Sequence, residues 1–291
     1  MADRQLSWLY SGSTDGKPRL GFDPRQAKSE YGPNLWTYRR AVDKDLFVPG
    51  SGVADISLIN WGQNDYHLGP IHAVPADQVE RNLARGKQLS LSLLYWLQTA
   101  APRPDGKTGW PGLRLRKDVV GTADGLAKYP YIRESRRIRA DFTVLEQHVS
   151  KQVREREHKG KGPARAVQFA DTVGVGLYLY IDIHATTGGE NSRGIGVLPF
   201  QIPLGTLIPR RVENLLAACK NIGVTHITNG CFRLHPVEWG IGEAAGALAG
   251  FCVAQNTSPR AVRGKPTLLA DFQKRLTAGG VELEWPADAT N

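Results

Sequence analysis

The stretch 235-HPVEWGIGEAAGALAGF-251 constrains the fold more than any other part of the chain. It predicts an apolar helix over residues 236–254, with Gly240, Gly242, Gly246 and Gly250 gathered on it. Glycine lets a backbone come close to a ligand or to a neighbouring element. Two roles therefore compete. Gly242 would lie near a helix start whose free N–H groups face something electron-rich. Alternatively, Gly242, Gly246 and Gly250, at i, i+4 and i+8, form a small-residue stripe that packs flat on another element. The spacing Gly-x-Gly-x-x-x-Gly is one residue longer than the dinucleotide fingerprint and does not decide between them.

Size and composition narrow the class. The 291 residues, 41% apolar and 22% charged, suffice for one large domain or two ordinary ones. Neither a signal peptide nor a membrane span is expected: the longest apolar run, 173-VGVGLYLYIDI-183, is short and carries Asp182. Cys219, Cys231 and Cys252 form no CxxC and cannot all pair, which fits a reducing, cytoplasmic setting. The net charge of +9 is richest in 133-RESRRIRADF-142 and 151-KQVREREHKGKGPAR-165, where no aromatic residues are interleaved for stacking on bases. An anionic cofactor or substrate explains that charge better than nucleic acid does.

Along the chain, 35-LWTYRRAV-42 and 54-ADISLIN-60 read as strands. Residues 76–101 have helical period, with an optional break at Gly86 and a stop at Pro102. The run 173–185 reads as a buried strand, and 213-ENLLAACKNIG-223 as a strand entering a loop. Residues 266–280 read as a final amphipathic helix. Strand, loop and glycine-headed helix make an α/β (α+β) arrangement in which ligands collect at strand ends.

Three stretches, 126-LAKYPYIRESRRI-138, 199-PFQIPLGTLIPRRVENLLAACKNIG-223 and 225-THITNGCFRLHPVEWGIGEAAGALA-249, together resemble the C-terminal half of the FAD-dependent oxidoreductase family. The resemblance implies a glutathione-reductase-like flavoprotein fold. Residues 1–198 would be the substrate-side domain, 199–256 the C-terminal part of the FAD-binding domain, and 257–291 a final helix and tail. It implies FAD as cofactor and a small organic substrate. Gly240, Gly242, Glu243, Ala244, Ala245 and Gly246, with Lys220 and Asn221, would lie against the flavin. A helix start there would stabilise the charge that reduced flavin gains near N1 and O2.

Flavin oxidations often need a base, and His184, His226 and His235, with Arg233 beside the last, are the candidates. Each histidine reads equally as hydrogen-bonded within a packed loop. Arg133, Glu134, Arg136 and Arg137 read as a salt-bridged surface turn or as a grip on an acidic substrate or the flavin. No metal site is expected, since 182-DIH-184 lacks further ligands at metal-like spacing, and no Gly-x-Ser-x-Gly elbow occurs.

The sequence departs from the family pattern at two points. No Gly-x-Gly-x-x-Gly unit occurs in residues 1–60, and Cys219 stands where glycine is more usual. The expectation is a flavoprotein fragment, with an incomplete dinucleotide-binding domain completed by a partner chain. The competing expectation is a non-catalytic subunit or truncated fragment that binds no FAD by itself.

Overall fold

The computed structural model describes residue 8 and the stretches 20–26, 34–61, 64–66, 68–134, 136–159, 163–183, 193–286 and 289. The chain forms two compact units, which part between Tyr131 and Ile132. Residue 198 lies in the second unit.

The first unit begins with α1 (Leu35–Tyr38), which runs into β1 (Arg40–Val42). The expected strand over 35–42 turns helical at its start because Asn34 caps it, its Oδ1 accepting from the Trp36 amide at 3.0 Å. β1 pairs antiparallel with β2 (Ile56–Ser57). α2 (Ala76–Thr99) runs unbroken through Gly86, and α3 (Lys117–Val120) follows a turn-rich loop. The core of this unit is aromatic: Phe22 meets Trp36, Trp61 and Trp110 edge-on, and Leu93, Leu97 and Ala101 close it. Arg25 and Arg103 both lie 4.8 Å from the Trp110 ring centroid, so its π-face is covered by cations.

The second unit opens with α4 (Glu146–Val149) and α5 (Lys151–His158). The long strand expected over 173–185 is, within its described residues, two strands, β3 (Thr172–Gly176) and β4 (Tyr180–Ile183). β4 pairs antiparallel with β5 (Arg193–Gly196), and β3 with β6 (Phe200–Pro203). The interruption lets each half take its own partner. After β6 come α6 (His226–Phe232), α7 (His235–Ala254), α8 (Pro259–Gly264) and α9 (Pro266–Ala278).

α7 packs on β3, and its buried face (Val237, Ile241, Ala244, Ala245, Leu248) enters the core with Phe200, Ile202 and Phe232. The C-terminal segment ties into the same hairpin. Gln201 is buried and bridges the Phe169 amide (2.7 Å) to the Leu283 carbonyl (3.0 Å), while Trp285 Nε1 donates to the Gly176 carbonyl at 3.1 Å. Buried polar groups matched in this way avoid the penalty of an unmade bond.

Two sequence expectations are corrected here. Residues 213–223 form no strand. Single hydrogen bonds hold them instead, Ala217 N to Leu207 O at 3.0 Å and Gly223 N to Thr206 O at 2.8 Å. The helix expected over 236–254 spans His235–Ala254, because Pro236 is preorganised for a first turn and Leu234 is extended, so the start placed near Gly242 for the flavin role is not where the helix begins. The amide of Gly242 is therefore spent inside the helix.

Candidate functional site

The site is built where residues 132–144 run beside the segment 220–224. Ile138 N donates to Asn221 O at 2.9 Å, Val144 N donates to Gly223 O at 2.9 Å, and Lys220 Nζ donates to the Ile132 carbonyl at 2.6 Å. Gly223 allows this approach: a Cβ there would stand 2.2 Å from the Phe142 carbonyl oxygen. The pairing carries Glu134 to α6.

α6 starts at a reciprocal cap. Thr225 Oγ1 accepts from the Thr228 amide (3.1 Å), and Thr228 Oγ1 accepts from the Thr225 amide (2.9 Å) while donating to Val144 O (2.8 Å). The helix ends at Arg233, and Leu234 at once caps α7, so the two helices meet at a corner without a linker. His226, Asn229 and Arg233 stand at i, i+3 and i+7, hence on one face of α6.

Glu134 closes over that face. Its Oε1 lies 3.2 Å from Arg233 Nε, and its Oε2 lies 4.0 Å from His226 Nε2. The Glu134 and Arg233 side chains are only 11% and 10% exposed, whereas His226 is 38% exposed. The surface-turn reading of this cluster is corrected: Glu134 is a largely buried charge held beside a largely buried guanidinium. The 3.2 Å contact is an ion pair without the alignment of a hydrogen bond. A carboxylate buried in this way is tolerated because the cation is there. Burial also presses the Arg137 guanidinium below its ordinary value, while the Glu134 charge opposes that shift. Between the two ends of the face, Asn229 is fully buried. Its Nδ2 donates to Lys220 O at 2.7 Å, and its Oδ1 has no hydrogen-bond partner among the described residues.

The structure thus gathers Arg233, His226 and Glu134, with Lys220 and Asn221 on the adjoining segment. His235 is the exposed first residue of α7, in the helix rather than in a loop before it. The first turn of α7 has no side-chain cap, and with Pro236 lacking an N–H its first donors are the amides of His235 and Val237. Gly240, Gly242, Glu243 and Gly246 lie further along. A Cβ on Gly242 would meet the Ala218 carbonyl at 3.3 Å, whereas one on Gly246 would meet nothing within 4 Å. Ala244 and Ala245 are core residues. Cys219 is exposed, its Sγ 3.6 Å from Asn221 Oδ1. His184 lies outside the described residues. No group of three or more potential metal ligands occurs among the described residues. A surface hollow lined by Lys44, Phe47, Val48, Gly50 and Val53 belongs to the first unit and contains none of the candidate residues.

Sequence reasoning missed the pairing of Glu134 with α6. The signal was present as a lone acid within 133-RESRR-137, but its partners lie far along the chain and only the fold brings them together.

The donors at the α6–α7 corner are of a kind that fits the ring end of FAD. Cationic Lys220 and Arg233 and the uncapped start of α7 suit the electron-rich pyrimidine edge of a flavin. The sheets of the described residues are all two-stranded and antiparallel.

No curated protein and no solved structure matches the chain. The family model described as FAD dependent oxidoreductase matches residues 7–276, nearly the whole length. The chain belongs to the FAD-dependent oxidoreductase family.

Proposed function

We propose that this chain forms the flavin-ring and substrate side of an FAD-dependent oxidoreductase that oxidises a small organic substrate by hydride transfer. The observation that carries the reading is the convergence of His226 and Arg233 on Glu134 at the α6–α7 corner. Bound FAD would supply the hydride acceptor. His226, the more exposed member of the trio, would take the proton that leaves the substrate. Arg233, Lys220 and the first turn of α7, which begins at His235, would hold the electron-rich edge of the ring. The first unit would serve the substrate side. The described part of the second unit would correspond to the later half of the flavoprotein fold. The free thiols of Cys219, Cys231 and Cys252 fit a reducing cytoplasm, and no described helix is long and apolar enough to cross a membrane.

A second reading has its own observation. The described residues contain no parallel sheet, so the nucleotide half of FAD would be held by a partner chain, and this chain alone would bind none. Tagged protein isolated from its own cells should show flavin bands in the visible blue. Arg233→Gln should reduce those bands several-fold while the far-UV circular dichroism is kept. Colour that appears only with a co-purifying chain favours the second reading. Colourless protein that also takes up no FAD from solution would sink the first.

A further inference from the structure

One carboxylate reaches both functional side chains at opposite ends of the α6 face. His226 begins the helix and Arg233 ends it, seven residues apart, which separates their backbones by roughly 10 Å along the axis. Their side chains nevertheless converge on the two oxygens of Glu134. Glu134 is 11% exposed, and a buried carboxylate with so little water is a strong acceptor that favours any N–H turned toward it. Arg233 occupies Oε1, and Oε2 faces Nε2 of His226 at 4.0 Å. That distance is longer than a hydrogen bond, as catalytic contacts often are before substrate is bound. A neutral imidazole has one N–H, and the nitrogen that carries it is set by the bond it makes. With the proton drawn to Nε2, Nδ1 is left as the bare acceptor. No described residue hydrogen-bonds His226 Nδ1.

We propose that Glu134 is a positioning residue, which holds His226 in the Nε2–H tautomer and so leaves Nδ1 as the atom that accepts the substrate proton. The inference rests on the oxidoreductase reading for the substrate, but the tautomer itself does not. The same ion pair with Arg233 fixes the carboxylate, so the imidazole meets a rigid acceptor rather than a mobile one.

The test is nitrogen-15 NMR of the full chain with labelled histidine, at a pH where imidazole is neutral. In the parent protein His226 should show Nε2 as the protonated nitrogen and Nδ1 as the bare one. In Glu134→Gln the two resonances should move toward each other as the tautomers mix, while exposed His235 stays unchanged as an internal control. Arg233→Lys, which preserves a cation beside Glu134, should leave the His226 pattern in place. A parent His226 protonated on Nδ1 would overturn the proposal, and so would identical nitrogen shifts in the parent and in a folded Glu134→Gln variant. Where Glu134→Gln does not fold, the parent pattern and Arg233→Lys still decide. Flavin absorbance read on the same samples keeps the two ideas apart. The expected tautomer in colourless protein that takes up no FAD would support the positioning and remove the oxidoreductase reading. Coloured protein with the wrong tautomer would do the reverse.

Discussion

Gly242 and Gly246 lie one turn apart on α7 and meet different surroundings. At Gly242 a Cβ would press on the Ala218 carbonyl at 3.3 Å, and at Gly246 it would enter open space. Gly246→Ala should therefore raise stability by about 1 kcal/mol, the helix-propensity difference, and raise the melting temperature. Gly242→Val should cost roughly 1–3 kcal/mol through overpacking. Thermal melts of the two variants check this, and a fall in both would show that Gly246 is also covered. His148 is a second residue whose surroundings speak. Its Nδ1 accepts from the Leu145 amide at 3.1 Å, and its ring stacks on Phe142 at 5.5 Å. Desolvation first, and then Arg154, push its pKa below 6.5, with Glu157 opposing. The folded state thus resists the proton more than the unfolded chain does. The contribution is complete above pH 6.5 and is lost as pH falls from there through the lowered folded value. The midpoint of denaturant unfolding should drop across that window, and His148→Asn, which retains an acceptor, should flatten the drop.

Elements set by periodicity could be read from the sequence, and elements set by distant pairing could not. α2 and α9 were legible because their apolar spacing and their boundaries, Pro75 and Pro102 for one and Gly279 for the other, need no tertiary partner. Residues 213–223 carry apolar residues suited to a strand, yet a strand requires a ladder, and the fold offers isolated bonds to 206 and 207 and from 138 and 144. The bounds of α7 were legible to within a residue, Pro236 being the start signal, whereas the start near Gly242 that the flavin role needs lies inside the helix. At the site, His226, Arg233 and Lys220 were legible as residue types near element ends. Their convergence on Glu134 was not, since it depends on 132–144 lying beside 220–224. That placement depends in turn on how α6 begins. Thr225→Ala removes an acceptor for the Thr228 amide and should cost about 0.5–2 kcal/mol. Because His226 is the next residue, the variant should also broaden the His226 nitrogen resonances while those of His148 stay sharp.

At the scale of the whole molecule, the two units have separate cores of different quality. The first depends on Phe22, Trp61, Leu93, Leu97, Ala101 and Trp110, and its longest helix, α2, buries only Asn82, Leu93 and Leu97 along 24 residues. The Nε1 donors of Trp61 and Trp110 are buried there without hydrogen-bond partners among the described residues, each a cost of about 1–3 kcal/mol. The second unit joins β3, β4, β6, α6, α7 and α9 in one far larger apolar cluster. Burial of apolar area drives stability, and two separate cores need not open together. Native-state hydrogen exchange should therefore give two classes of protection. Amides of α7 around Ile241–Leu248 and those of β6 should exchange only by the highest-energy opening of their unit. Amides in the first half of α2, where Asn82 is the one buried residue, should exchange far sooner. Asn82 is also the point where that half is fastened, its Nδ2 donating to Pro70 O at 2.8 Å and its Oδ1 accepting from Tyr66 at 3.0 Å. Asn82→Ala should accelerate exchange along α2 while leaving α7 unchanged. If α2 and α7 exchange at one common rate, and Asn82→Ala speeds both equally, the units fold as a single cooperative body and the separate-core account fails.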